Sequence, residues 1–308
     1  MSILITGATG YIGSRVASLL AGRGEKVIGV IRSPERASAL PTDVEPLVCD
    51  LTDVSRLATA AKEAKAIIHT GFTGHGGVWD DAVAVDKAVI TGFIEALEGT
   101  GKRLIVSNGT IFLGDTRDGR LTEAKPVIEE HPAAGRARAT AQAREAANRG
   151  VHGIELRLAS FVYGLGGSVF PPVLVNASQA AGFAFYVGDG RNKTSTVHVD
   201  AAASAFVQAL DHGDAGGLYH IAGDEEPMVL ETAHAIGIGQ NLPVRSLTGE
   251  EATALTDPFT AAFLAIDNRI DSTKAREALG WSPAGHVPFL FDLAHGSYAK
   301  DQLAILAA

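Results

Sequence analysis

Short apolar runs alternate with longer amphipathic stretches through the first half of the chain. The apolar runs have the length of buried strands, and the stretches between them have helical periodicity. Each amphipathic stretch is long enough to return the chain to a parallel neighbour, so the alternation predicts a doubly wound parallel sheet. The predicted strands are Ser2–Thr6, Lys26–Arg32, Glu45–Cys49, Ala66–His69, Arg103–Ser107 and Gly153–Leu158, and the predicted helices are Ile12–Ala21, Ser33–Ala39, Val54–Lys62, Trp79–Gly99 and Pro132–Asn148.

The pattern becomes irregular beyond about Gly164, where short strands and helices follow one another without regular alternation. We therefore predict an α/β protein with a Rossmann-type doubly wound parallel sheet in residues 1–165 and a smaller mixed α/β substrate lobe in residues 166–308. Segments near 194–222 are expected to return to the first domain. The predicted helices of this half are Phe170–Ala181, Asp200–Asp211, Val229–Gly237 and Asp271–Leu279, the last capped by Gly280, and its predicted strands are Phe185–Val187, Thr194–Val199 and Tyr219–Ala222.

Composition narrows the class of partner. The chain has 308 residues, of which 46% are hydrophobic, and its formal charge of −9 is spread without a Lys/Arg block. We therefore expect a globular protein with a small-molecule substrate and no nucleic-acid surface. No apolar run approaches the roughly 20 residues that span a bilayer, no signal-peptide pattern follows Met1, and the single Cys49 excludes a disulfide framework. These features predict a cytoplasmic protein without a membrane partner.

A glycine triplet lies between the first predicted strand and the first predicted helix. Gly7 permits a tight turn, Gly10 lets the backbone approach a pyrophosphate, and Gly13 lets the helix pack on the sheet. The helix N-terminus adds unpaired N–H groups and a partial positive charge. The sequence therefore predicts a dinucleotide site. Its expected contacts are Gly7, Thr9, Gly10, Tyr11, Ile12 and Gly13.

The end of the second predicted strand indicates NADP(H) as the cofactor. Proteins that bind NAD usually place an Asp or Glu here for the ribose 2′-hydroxyl, whereas this chain has Arg32, Ser33 and Arg36. Guanidinium groups can neutralise and hydrogen-bond a 2′-phosphate. The alternative is that these arginines are solvated surface residues. Asp50 and Leu51 follow the third strand and are candidates to hold the adenine, although an Asp there is also an ordinary helix-entry residue.

Motifs spread over nearly the whole chain resemble the extended short-chain dehydrogenase/reductase superfamily, often called NAD-dependent epimerase/dehydratases. The resemblance implies that the loop after the fourth strand, with Thr70, Gly71 and Phe72, lies along the cofactor, as do Ser107 and Asn108. It also implies a homodimer that forms through the Ala-rich helix over 133–147. The motifs are residues 6–13, 32–34, 49–51, 69–72, 157–164, 186–190, 197–200 and 279–283.

The chain departs from the family at the catalytic group. The resemblance implies a Ser or Thr, a Tyr-x-x-x-Lys pair and an upstream Asn, but no Tyr-x-x-x-Lys occurs in this sequence. In that pair the Lys lowers the pKa of the Tyr, which exchanges a proton with the substrate oxygen. At the matching positions stand Gly109 flanked by Ser107 and Thr110, Pro132 and Arg136 near the Tyr and Lys, and Asp86 near the Asn.

Three interpretations of this altered site remain open. In the first, Arg136 takes the place of the Lys, and His131, whose ordinary pKa near 6.5 suits proton exchange, replaces the Tyr. In the second, Asp86 or Thr110 handles the proton and His131 merely precedes a helix-starting proline. In the third there is no proton donor, and the chain is an NADP(H)-binding sensor. The candidate catalytic residues are therefore Thr110, His131, Arg136, Asp86 and Ser107.

The leading functional prediction is an NADP(H)-dependent oxidoreductase acting on a small carbonyl or hydroxyl compound. A nucleotide-sugar epimerase or dehydratase is less favoured, because Arg191 and Lys193 are the only cations near the expected diphosphate position. No metal site is predicted. His69 and His75 flank a Gly-rich loop without a Cys, Asp or Glu to complete a ligand set.

Overall fold

Eleven strands and eleven α-helices occur in the computed structural model, within residues 1–74, 78–117 and 119–300, the ranges that the structure describes. His75, considered above as a metal ligand, lies outside these residues. The strands are β1 (Ile3–Thr6), β2 (Val27–Ile31), β3 (Val44–Val48), β4 (Ala66–His69), β5 (Arg103–Asn108), β6 (His152–Leu158), β7 (Phe161–Tyr163), β8 (Ala184–Val187), β9 (Thr196–His198), β10 (Gly217–Ile221) and β11 (Val244–Leu247).

The helices vary from six to nineteen residues in length. Within the described ranges, none is both long and apolar enough to cross a membrane. They are α1 (Tyr11–Gly22), α2 (Val54–Glu63), α3 (Trp79–Leu97), α4 (Ala134–Glu145), α5 (Phe170–Ala181), α6 (Val199–His212), α7 (Val229–Gln240), α8 (Gly249–Leu255), α9 (Pro258–Phe263), α10 (Thr273–Leu279) and α11 (Phe289–His295).

The central sheet has seven parallel strands in the order β10-β6-β5-β4-β1-β2-β3. After β3 the chain crosses back to the other side of β1, which makes the boundary between β1 and β4 the topological switch point. In open sheets of this kind, ligands bind outside the carboxyl ends of the strands at that point. The topology therefore places the Gly7 turn, which follows β1, beside the loop that follows β4.

Two apolar layers cover the two faces of this sheet. Successive side chains of a strand point to opposite faces, so Ile3 and Ile5 pack in one cluster with α1 and α6, while Leu4 packs in another with α2, α3 and α4. All four side chains of β1 are fully buried. Burial on both faces explains why the strands appear in the sequence as continuous apolar runs rather than alternating ones.

The six strands predicted for the first half are confirmed as neighbours in one parallel sheet. The helix predicted over Ser33–Ala39 is wrong in type, because this connection is a short 3₁₀ helix over Pro34–Ala39. None of its residues is buried. It therefore lacks the packed apolar face that supplies most of the stability of short helices.

A separate apolar cluster, called here the C-terminal cluster, is built from β7, β8, α5, α7, α9 and α11 with their neighbours. The pairs β8–β11 and β7–β9 form two small parallel sheets outside the central one. Several of these elements, among them β11, α8, α9 and α11, have no counterpart in the sequence prediction. They are four to seven residues long, too short for periodicity to distinguish them from loops.

We expect Gly153→Ala to destabilise the fold strongly. Gly153 lies in β6, and a Cβ atom there would collide with the backbone carbonyl of Ala143 on α4, which cannot move without displacing the helix. The free energy of unfolding in urea should fall by about 3 kcal/mol, the upper range for overpacked sites. The matched control is Gly22→Ala at the exposed end of α1, where no atom lies within 4 Å and stability should stay equal or rise slightly. Equal stability of wild type and Gly153→Ala would contradict the close packing of α4 on β6.

Candidate active site

A cleft of about 1160 Å³ opens at the carboxyl edge of the central sheet. One wall consists of the residues that follow β1 to β6, and the other consists of residues from α5 and α9. All the residues predicted to bind the dinucleotide line this cleft. They are Gly7, Thr9, Gly10, Tyr11, Ile12, Gly13, Arg32, Ser33, Arg36, Asp50, Leu51, Thr70, Gly71, Phe72, Ser107 and Asn108.

The turn after β1 has the geometry that a pyrophosphate requires. Gly7 has a φ of 71°, which favours glycine, and its carbonyl accepts a hydrogen bond from Gly10 N at 2.8 Å. A Cβ atom on Gly13 would collide with that same carbonyl, so only glycine lets α1 start this close to the turn. The first turn of α1 carries no acidic side chain that would compete with a phosphate. These residues fit a dinucleotide.

Two arginines, Arg32 and Arg36, line the cleft just after β2. The exposed Arg32 lies beside Asp50, with 3.9 Å between Arg32 Nε and Asp50 Oδ2, and Arg36 Nη2 donates a 3.5 Å hydrogen bond to Thr9 Oγ1. The other oxygen of Asp50 accepts hydrogen bonds from the backbone and hydroxyl of Thr52, and these bonds lower the pKa of the Asp50 carboxyl. Both cations are thus weakly held, and their hydrogen-bonding groups remain accessible.

The loop after β4 lies directly against the Gly7 turn. Thr70 Oγ1 donates to Thr6 O at 2.8 Å, and Gly71 N donates to Thr6 Oγ1 at 3.2 Å. The approach is so close that a Cβ atom on Gly7 would be 2.8 Å from Gly71 N. Thr6, at the end of β1, therefore fixes both sides of the switch point.

Arg136 is the cation in the middle of the cleft. It projects from α4, and its side chain is only 17% exposed. Its guanidinium carbon lies 3.9 Å from the centroid of the Phe72 ring, Nη2 donates to Ser107 O at 3.1 Å, and Nε is 3.5 Å from Asp86 Oδ2. Burial lowers the pKa of Arg136, an effect that Asp86 opposes, and a guanidinium stays protonated throughout the physiological range. The structure thus places a fixed positive charge on the cleft wall.

Asp86 lies behind Arg136 rather than on the cleft wall. It belongs to α3, its side chain is 1% exposed, and its other oxygen is 2.8 Å from Nε2 of His69. Burial alone would raise the pKa of the Asp86 carboxyl, but His69 and Arg136 together outweigh burial and hold it below its usual value. An aspartate with a lowered pKa is ionised at neutral pH, so Asp86 is poorly suited to donate a proton.

His69 completes a buried chain of polar contacts from the glycine turn to Arg136. Its Nδ1 is 2.6 Å from Thr6 Oγ1, and its Nε2 contacts Asp86. A neutral His69 protonated at Nε2 satisfies both contacts, since Thr6 can donate to Nδ1 while Nε2 donates to the carboxylate. We call Thr6, His69, Asp86 and Arg136 the polar chain. Sequence reasoning weighed His69 as a metal ligand and as part of the motif 69–72, and it missed this role.

The two hydroxyls beside Gly109 differ in how firmly they are held. Thr110 Oγ1 is 3.0 Å from Asn268 Oδ1, which also accepts from Ser160 at 3.0 Å, whereas Ser107 Oγ makes a long 3.4 Å contact with His69 O. Asn268 comes from the segment between α9 and α10, and no sequence signal indicated it. The hydroxyl of Ser107 is therefore freer than that of Thr110 to turn toward a ligand.

His131, the proposed substitute for the tyrosine, does not line the cleft described here. Its Nδ1 accepts a 3.1 Å hydrogen bond from Ala133 N just before α4 begins, and burial lowers the pKa of the imidazole. Asn108 lines the cleft, but its side chain is held by Thr140 and by the backbone N–H of Gly109. Of the five candidate catalytic residues, the structure brings Ser107, Thr110 and Arg136 together on the cleft wall.

One cluster outside the cleft has side chains of the metal-ligating type. Among the described residues, the ligand atoms of His198, Asp200 and His286 lie within 4.8 Å of one another. The two imidazoles are stacked, with centroids 4.5 Å apart and planes at 7°, so their in-plane lone pairs do not converge on one point. His198 Nδ1 already accepts from Asp200 N at the start of α6. This geometry indicates a helix-capping role.

Comparisons with known proteins agree with this architecture. The model of the NAD dependent epimerase/dehydratase family matches residues 3–222. An uncharacterized protein of Schizosaccharomyces pombe is 34% identical over 300 residues, covering 97% of this chain and 100% of that protein. A 3-diazoavenalumate denitrifying reductase of Streptomyces sp is 28% identical over 298 residues, covering 92% and 96%. A solved dTDP-glucose 4,6-dehydratase double mutant of Streptomyces venezuelae with NAD bound shares the fold, with a TM-score of 0.78, 23% identity and coverage of 98% and 97%.

We expect Asp86→Asn to lower the free energy of unfolding by about 3 kcal/mol at pH 7, because it leaves the buried Arg136 charge without its anionic partner. Since the pKa of Asp86 is lowered in the folded protein, its ionised form stabilises the fold above the unfolded value near 3.9. That stabilisation is lost as the pH falls through the folded pKa. The difference between wild type and variant, measured by urea unfolding, should therefore be constant from pH 7 to about 5 and should narrow below about 4.

The control is Asp81→Asn in the exposed first turn of the same helix, which should cost about 0.5 kcal/mol or less. If Asp86→Asn were as mild as this control, the ion pair would not contribute to stability.

Proposed function

Because the chain belongs to the NAD dependent epimerase/dehydratase family, we propose that it is an NADP(H)-dependent oxidoreductase acting on a small carbonyl or hydroxyl compound. The observation that carries this proposal is the fixed guanidinium of Arg136 beside Ser107, in the same cleft as the glycine turn. A dinucleotide whose pyrophosphate sits at the turn would extend along the cleft toward this charge. The substrate would then contact the dinucleotide and the Arg136 guanidinium in the same part of the cleft.

The choice of NADP(H) rests on Arg32, Ser33 and Arg36. These three residues follow β2 and line the cleft, and no Asp or Glu stands directly at the strand end for a 2′-hydroxyl; the nearby Glu35 carboxylate is hydrogen-bonded to the Ser33 side chain. Asp50 stands nearby, with one oxygen hydrogen-bonded to Thr52 and the other 3.9 Å from Arg32 Nε, so it belongs to the third strand end rather than to the second. Two weakly held cations and one hydroxyl suit a doubly charged phosphate better than a neutral hydroxyl.

Arg136 is proposed to stabilise negative charge on the substrate oxygen. The bound cofactor would supply or accept the hydride. When a carbonyl is reduced, its oxygen becomes an alkoxide, and a guanidinium fixed by Asp86 and Phe72 requires no reorganisation to stabilise that charge. In the reverse direction, the same charge favours loss of the proton from the alcohol.

The proton is proposed to come from water, with the hydroxyl of Ser107 as a relay. Its contact with His69 O is long, so Ser107 Oγ–H can turn to the substrate oxygen and be reprotonated by water in the cleft. Among the described lining residues there is no His or Glu, and Asp50 is the one Asp. The part of the cleft near Arg136 therefore offers no side chain of these types. This arrangement favours substrates whose reduction does not need a strong protein acid.

We also propose that residues 1–165 bind the cofactor and that residues 166–308 shape the substrate side. The start of α5 and Phe259 support this division, because they line the same cleft as the glycine turn. A homodimer through the helix over 133–147 stays a prediction from the family resemblance.

The second candidate function is a non-catalytic NADP(H) sensor. It is favoured by the absence of the Tyr-x-x-x-Lys pair and by the position of His131, which does not line the described cleft. A nucleotide-sugar epimerase or dehydratase is the third candidate, because a solved dTDP-glucose 4,6-dehydratase has the same fold. The carbonyl-reduction experiment below separates the oxidoreductase from the sensor, because only the oxidoreductase consumes NADPH. A nucleotide-sugar epimerase or dehydratase regenerates its cofactor in each cycle, so it would be detected by conversion of a nucleotide sugar instead.

Arg32→Ala should weaken NADPH binding about tenfold or more while leaving NADH binding unchanged, because a charge-assisted contact to the 2′-phosphate contributes roughly 1.5–3 kcal/mol. Titration of the purified protein with each cofactor, followed by nicotinamide fluorescence, measures both constants. Arg56→Ala, an exposed arginine of α2 that does not line the cleft, serves as the control. Equal loss of both cofactors, or no NADPH preference in the wild type, would argue against a 2′-phosphate site.

Arg136→Met should lower kcat/KM for NADPH-dependent carbonyl reduction by about 100-fold, the usual effect of removing one group that stabilises a developing oxyanion. Arg136→Lys keeps the charge and should retain part of the activity. Arg138→Met changes an exposed arginine two positions along the same helix and should match the wild type. A panel of small aldehydes and ketones, followed by NADPH oxidation, provides the measurement.

If Arg136→Met turned over as fast as the wild type, Arg136 would have no part in the reaction. Tight NADPH binding by a wild type that reduces no member of the panel would favour the sensor.

A further inference from the structure

The part of the cleft lined by α5, the two residues before it and α9 is almost entirely apolar. It is formed by the start of α5 and by one residue of α9, and its polar members among the described residues are Ser168 and Asn176. The apolar members are Val169, Phe170, Pro172, Val173 and Phe259. Such a surface binds its ligand by removing apolar area from water, with few groups available to orient charged or strongly hydrated substituents.

An aromatic stack ends at this wall. The Phe170 ring lies 4.7 Å from the ring of Phe263, at 26°, and 6.2 Å from that of Phe259, at 14°. Phe170 and Phe263 are buried, whereas Phe259 is 41% exposed. The hydrogen bonds from Phe259 N and Thr260 N to Asp257 fix the start of α9. Phe259 thus presents a supported, accessible ring face at the cleft.

The charges of the cleft are distributed unevenly. Among the described lining residues, the cations are Arg32 and Arg36, which follow β2, and Arg136, which belongs to α4. Asp86 lies 3.5 Å from Arg136, so the pair attracts a permanent anion less strongly than an unpaired cation would, while the guanidinium N–H groups can still donate to an oxygen on which charge develops. Arg191 and Lys193, weighed above as diphosphate ligands, do not line this cleft.

We infer that the substrate is an uncharged carbonyl compound with an aromatic ring, which packs against Phe259 while its oxygen faces Arg136. This inference rests on the proposed function and narrows it to one substrate class. A nucleotide diphosphate would place two phosphates against an apolar wall without a cation, which leaves their charge uncompensated and desolvated. An aromatic ring on a supported phenylalanine instead gains a stacking contact.

A binding experiment tests the inference without requiring turnover. Benzamide, an unreactive neutral analogue of an aromatic aldehyde, is titrated calorimetrically into the protein saturated with NADPH. The inference expects benzamide to bind, 4-carboxybenzamide and uridine diphosphate to bind at least tenfold more weakly, and cyclohexanecarboxamide to be weaker as well. Phe259→Ala should weaken benzamide about tenfold. Phe291→Ala, an exposed phenylalanine of α11 away from the cleft, should match the wild type.

The inference is overturned if benzamide does not bind, if uridine diphosphate or the carboxylated analogue binds as tightly, or if Phe259→Ala has no more effect than Phe291→Ala. A parallel assay with benzaldehyde and glyceraldehyde separates this failure from that of the proposed function. Reduction of glyceraldehyde without benzamide binding would support the oxidoreductase function and contradict the inference of an aromatic substrate. Benzamide binding that depends on Phe259, without reduction of any aldehyde, would keep the aromatic site and reject the enzyme.

Discussion

The buried ion pair between Asp86 and Arg136 is the contact on which the arrangement of the cleft depends. A guanidinium at this depth is costly unless a carboxylate compensates it, and Asp86 is itself tolerated only because His69 and Arg136 offset its burial. The pair joins α3 to α4, and His69 ties it to the end of β1. The same few contacts therefore hold the cation and the glycine turn in one rigid frame.

This frame suggests how a family site can change its chemistry while keeping its cofactor. The glycine turn depends chiefly on its own backbone, namely the positive φ of Gly7 and the close approach of Gly13 to the Gly7 carbonyl. The resemblance implies that Pro132 and Arg136 stand near the positions of the family's tyrosine and lysine, an exchange that would remove the acid but retain a cation. Catalysis would then shift from proton transfer toward charge stabilisation, with solvent completing the reaction.

Local features could be predicted from the sequence, and distant ones could not. The strands of the central sheet and the turn at Gly7, Gly10 and Gly13 each follow from a few neighbouring residues, and the structure confirms the sheet. The contact of Asp86 with His69 depends instead on how α3 packs against the sheet. Phe259 lies on a six-residue helix that periodicity does not detect. The prediction of an α-helix over Ser33–Ala39 was wrong, because the spacing of apolar residues alone does not reveal whether another element packs on that side of the segment.

The hydrogen bond from Thr110 to Asn268 joins residues that are 158 positions apart in the chain. A ribosome adds roughly 5–20 residues per second, so about 8 to 32 seconds separate the synthesis of these two side chains. During that interval the strands that carry the glycine turn are already complete, whereas the loop with Thr110 lacks the amide that holds it. The nascent chain would consequently contain its complete glycine turn well before the loop with Thr110 is ordered.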